Sequence, residues 1–77
     1  MKFLGIDMPA NRYWLAKDIA TVIYNKERKL YPDLDDYEYL AMFKKRIQKR
    51  YAAAKGTKTL IEVLKEYRAD LRKKEGV

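Results

Sequence analysis

The chain contains no cysteine, no histidine and no serine. Without cysteine there is no disulfide, and without cysteine or histidine the usual zinc ligands are missing. The same three absences remove the common nucleophiles and the common general base, so the chain is not expected to be an enzyme. Glycine occurs three times, always isolated, which leaves no glycine-rich loop to cradle a phosphate. The longest apolar run, Tyr39 to Phe43, is five residues, far below a membrane span. Phe3 to Ile6 is too short for the apolar stretch of a signal peptide, and a cytoplasmic protein is the expectation. Asp33, Asp35, Asp36 and Glu38 form the one acidic cluster that Mg²⁺ could use. Such a cluster at a helix start more often serves capping and solvation, so neither metal nor cofactor is expected.

What is abundant is positive charge, unevenly placed. The 77 residues carry a net charge of +7. Residues 1–43 have six basic and seven acidic side chains, whereas residues 44–77 have twelve basic and four acidic ones. Seven cations stand between Lys44 and Lys58 with no carboxylate among them. A helix dipole favours acid-first, base-last order, but it fades within one turn, and this run covers about three.

Helical periodicity dominates. Asp35 with Glu38 fits a capping box, Leu34 with Tyr39 a hydrophobic staple, and Gly56 a left-handed helix end. They predict a central helix over about 35–55 with Tyr37, Tyr39, Leu40, Phe43, Ile47, Tyr51 and Ala54 on one apolar arc. A first helix is expected over about 9–30, started near Asp7 and Pro9 and stopped by Pro32. Its stripe reads Leu15, Ile19, Val22, Ile23 and Leu30. Thr59 and Glu62 form a second capping box, opening a third helix over about 59–74 with Leu60, Val63, Leu64, Tyr67 and Leu71 inward. Residues 1–8 read as an arm packed on the helices, because one short strand has no partner in sequence. The whole, residues 1–77, reads as one all-α domain: a small three-helix bundle with a short N-terminal arm. At this length a single core is only marginally stabilising.

Function is carried by charge. The outward face of the central helix (Lys45, Arg46, Lys49), with Arg50, Lys55, Lys58 and the Lys65, Arg68 and Arg72 flank of the third helix, is expected to form one basic surface. Its expected partner is nucleic acid, duplex DNA or RNA, held through phosphates with affinity that falls steeply with salt. The join from Tyr51 to Leu60 has the spacing of a helix-turn-helix at Ala52 and Gly56. Glu62 and Lys65 then fall where that motif needs apolar packing, so base readout is not expected. The alternative is a protein-binding module or regulator of a larger complex, or self-association. Trp14 and Met42 are its candidate anchors, since each falls among charged positions. The arm is expected to fold over Trp14; left uncovered, Trp14 would be free for a partner. A membrane-surface role lacks the exposed apolar face it needs.

Overall fold

The computed structural model describes residues 1–75, which form a two-stranded hairpin and three helices. β1 (Lys2–Phe3) pairs antiparallel with β2 (Ile6–Asp7). So the arm supplies its own second strand, unlike the sequence expectation. The connection is Leu4–Gly5, both at positive φ (54° and 79°), a backbone twist that suits a two-residue hairpin. A side chain at Gly5 would also run into the Gln48 amide. That amide donates to the Leu4 carbonyl at 3.0 Å and ties the hairpin to the second helix.

α1 (Ala10–Glu27) starts from an extended Pro9, with no side-chain cap; Asp7 lies in β2 instead of capping. Its last residues tighten into a 3₁₀ turn over Arg28–Leu30, and Pro32 follows. α2 (Asp36–Ala53) opens on a complete capping box: the Glu38 amide donates to Asp35 at 2.7 Å, and the Asp35 amide donates to Glu38 at 3.3 Å. Asp35→Ala is expected to cost about 1 kcal/mol, read as a lower urea midpoint with an unchanged slope. α2 ends through Lys55 and Gly56, both at positive φ. α3 (Leu60–Glu75) begins on the second capping box, Thr59 with Glu62.

The core joins Ile6 and Met8 to one stripe from each helix. α3 buries Leu60, Val63, Leu64, Tyr67 and Leu71, and α2 buries Tyr39, Phe43 and Ile47. On α1 the buried set is Ala16, Ile19, Ala20, Ile23 and Glu27. Leu15, Val22 and Leu30, expected inside, are exposed. The buried stripe Ala16, Ile19, Ala20, Ile23 and Glu27 follows steps of three and four, and Leu15 and Val22 fall to one side of it; α1 packs closely along α3 and only sparsely along α2. α2 is held off by rings: Tyr24 meets Tyr39 edge-on at 5.1 Å, and Phe43 meets Tyr67 edge-on at 5.6 Å.

Glu27, only 3% exposed, lies at the centre of this packing. The Tyr39 hydroxyl donates to it at 2.7 Å and the Tyr67 hydroxyl at 2.7 and 2.8 Å. Arg46 reaches its carboxylate at 3.5 Å. The guanidinium also donates to Tyr67 and Tyr31 hydroxyls and lies 5.4 Å from the centre of the Tyr31 ring. One carboxylate therefore fastens the end of α1 to the start of α2 and the middle of α3.

Candidate interaction surface

The nine cations expected to form one basic surface fall into three groups. Arg46 belongs to the core network around Glu27 and is half-buried. Arg50 is bound to Asp70 at 2.8 Å and covers the Tyr67 ring at 4.7 Å, and Lys58 is bound to Glu66 at 2.6 Å. These three are held by the molecule's own carboxylates. Lys45, Lys49 and Lys55 are exposed, and among the described residues none is in an ion pair.

Lys65, Arg68 and Arg72 stand elsewhere. Asp70 and Glu66 bond toward α2 and the connection after it, so the acidic flank of α3 is the one that faces α2. At 100° per residue, Arg68 and Arg72 lie roughly 160° around the helix from Asp70, and Lys65 about 140°. They lie on the flank of α3 opposite the one that faces α2. Of the nine cations, Arg46, Arg50 and Lys58 are thus already engaged by carboxylates of the chain. The six-residue connection 54–59 between α2 and α3 is also longer than the three- or four-residue turn of a helix-turn-helix.

The candidate anchors divide as well. Met42 is half-buried and packs against the core, because its edge of α2 faces the aromatic cluster. Trp14 is 67% exposed. The hairpin covers its neighbour instead: Phe3 meets Tyr13 edge-on at 5.5 Å, and Tyr13 meets Trp14 edge-on at 5.7 Å. The Lys17 ammonium sits 5.0 Å from the centre of the Trp14 ring, a cation–π contact that limits how the indole turns.

Two residues assigned to the core arc of α2 lie on the surface. Tyr37 is 83% exposed and Leu40 46%. Leu40 forms part of the wall of an open hollow of about 180 Å³ left where α1 and α2 stand apart under the hairpin. Its other walls include Phe3, Leu4, Ala20, Tyr24 and Phe43, with Lys17 at one side. Leu40 also borders a second hollow, with Tyr37, Ala41 and Lys44. Lys17, whose ammonium lies on the Trp14 ring, walls the first hollow, Leu40 borders both, and Tyr37 walls the second beside Lys44, so these side chains mark a track from Trp14 to Tyr37. The sequence gives little sign of it, because Tyr37 and Leu40 keep the spacing of core residues.

Three of the four acidic residues at the start of α2 are engaged within the chain. Asp35 and Glu38 cap the helix, and Asp36 accepts from Arg28 at 3.0 Å, which lowers the Asp36 pKa and raises that of Arg28. No helix is long and apolar enough to cross a membrane among the described residues. Comparison of the chain with protein-family models, with curated proteins and with solved structures finds no match.

Proposed function

We propose that the chain is a protein-binding module, a non-enzymatic adaptor or regulator of a larger assembly. The observation that carries this reading is the track from Trp14 to Tyr37, where the two most exposed large apolar side chains, Tyr37 and Trp14, stand with Leu40 beside open apolar hollows. Exposed Trp and Tyr beside cations have the composition of protein interfaces more than that of phosphate-binding faces. The division of the basic residues supports it from the other side.

The test is retention of a partner from cell lysate, repeated with nuclease and then with the purified components. The expected result is a protein held equally well after nuclease, with Lys45→Glu plus Lys49→Glu changing its affinity little. A second reading, phosphate contact, is favoured by one observation: Lys44, Lys45, Lys49 and Lys55 line α2 and its end without an ion-pair partner among the described residues. It expects the opposite. Nuclease would release the bound material, and the same double variant would abolish a duplex mobility shift at about 0.1 M salt, with affinity falling as a power of salt concentration.

A further inference from the structure

The hollow between α1 and α2 has a shape and a charge that select what can enter it. Its volume of about 180 Å³ is near that of a cavity of about 150 Å³ that takes up benzene, so it has room for one leucine or phenylalanine side chain. Its walls are apolar, and neither hollow is lined by a carboxylate. Lys17 stands at one hollow and Lys44 at the other. Among the described residues Lys44 forms no ion pair, and Lys17 has only the Trp14 ring.

The backbone around the track also restricts the occupant. Its two long walls are helices, whose amides and carbonyls are already bonded within the helix, so they offer no edge to an added strand. The hairpin strands are two residues each, too short to template one. A helix laid in the groove needs no backbone bond from these walls, and it places apolar side chains at i, i+3/i+4 and i+7 along the track.

We infer that the Trp14–Leu40–Tyr37 track receives an acidic amphipathic helix of a partner protein. One large apolar side chain of that helix enters the hollow over Ala20 and Phe43. Its flanking carboxylates meet Lys17 and Lys44, and Trp14 and Tyr37 close over its two ends. Charge complementarity argues for this occupant: the two hollows are lined by Lys17 and Lys44 and by no carboxylate, so a second copy docking through this same face would bring lysines to lysines. The inference rests on the protein-binding reading and adds the surface and the partner's chemistry to it.

The test uses the full chain and a synthetic helical peptide with leucine at i, i+3/i+4 and i+7 and glutamate at the remaining outer positions. A peptide with lysine in place of glutamate, the chain itself at rising concentration, and a short DNA duplex serve as competing probes. Amide and indole chemical shifts are followed by NMR. The expected result is that the glutamate peptide moves the Trp14 indole and the amides of Lys17, Tyr37, Leu40 and Lys44, while the lysine peptide does not. Trp14→Ala and Tyr37→Ala, both at exposed positions, should each weaken binding about tenfold, the size of a modest interface anchor, and leave helicity unchanged.

Several outcomes overturn the inference. These are no shifts at millimolar glutamate peptide, shifts confined to the Leu15 and Val22 side of α1, equal binding of both peptides, or the same residues moved by self-association or by the duplex. If a natural partner is retained after nuclease and tolerates Trp14→Ala with Tyr37→Ala, the protein-binding reading stands and this surface is wrong. If nuclease releases everything, both fall.

Discussion

Replacing Glu27 by alanine is expected to remove a large share of the chain's stability. The substitution strands two buried hydroxyl donors, on Tyr39 and Tyr67, and leaves Arg46 without the carboxylate it reaches at 3.5 Å. Removing one partner of a buried charged network costs about 3–5 kcal/mol. A domain of this length has roughly 4–12 kcal/mol in total, so the loss consumes much of it. Circular dichroism through a urea titration should show a steep fall in the midpoint. Glu27→Gln keeps an acceptor oxygen and should lose less. The informative companion removes the whole network at once, with Glu27→Leu, Tyr39→Phe, Tyr67→Phe and Arg46→Met. Because a fully apolar replacement avoids every desolvation cost, it should recover most of the stability lost by Glu27→Ala. A loss below about 1 kcal/mol for Glu27→Ala alone would mean that the carboxylate contributes little to holding the three helices.

The second large effect is loss of stability in alkali. Burial, then the hydrogen bond and charge of Glu27, push the Tyr39 phenol well above its ordinary range. Burial likewise lifts Tyr67, which settles at about 12 because the Arg46 hydrogen bond opposes the rise. In the unfolded chain both phenols lose their protons near pH 10, while the folded chain holds them. The unfolded state then binds fewer protons, so stability falls as pH rises. The contribution is complete below about pH 10 and disappears as pH climbs through the folded value. Tyr67 alone accounts for roughly 2–3 kcal/mol over that window, and Tyr39 adds to it. Urea melts from pH 9 to 12 should show the decline, accompanied by a late component in tyrosinate absorbance. In Tyr39→Phe with Tyr67→Phe the decline should flatten from a lower starting stability. An equal slope in that double variant would assign the effect to other groups.

Neither effect could be foreseen from the sequence, and the reason is specific. Glu27 lies between Lys26 and Arg28, where a carboxylate reads as one more solvated charge. It also occupies the last turn of α1, the end at which the helix dipole disfavours an anion. The signal that was available is positional: Ala16, Ala20, Ile23 and Glu27 follow steps of four, three and four, so position 27 continues a helical stripe. Carboxylates are rarely fully buried unless paired, and pairing depends on two other helices whose placement the sequence does not reveal.

Where one helix decides, the sequence was legible. The inward face of α3 and both capping boxes follow from spacing and cap chemistry within single segments. Where two elements decide, it was not. The packing of α1 against its neighbours buries Ala16 and Ala20 and leaves Leu15 and Val22 outside, against a stripe ranked by hydrophobicity. The hairpin turns on Leu4–Gly5, which is not one of the sequence pairs that announce such a turn. The ion pairs within the expected basic surface were hidden for the same reason. Seven cations without an acid between residues 44 and 58 look unopposed in one dimension, yet Asp70 and Glu66 oppose two of them across the bundle.

The intimate contact of α1 with α3 also bears on how the chain reaches this shape. Those two helices are separated by the whole of residues 28–59, so their tightest interface closes only after a long intervening stretch has been drawn in. Closure of a flexible stretch costs entropy before any contact rewards it. The two local helix–helix neighbours, α1 with α2 and α2 with α3, offer sparser packing to begin from. A three-helix chain of this size would ordinarily assemble from adjacent hairpins; here the strongest seam joins its first helix to its last.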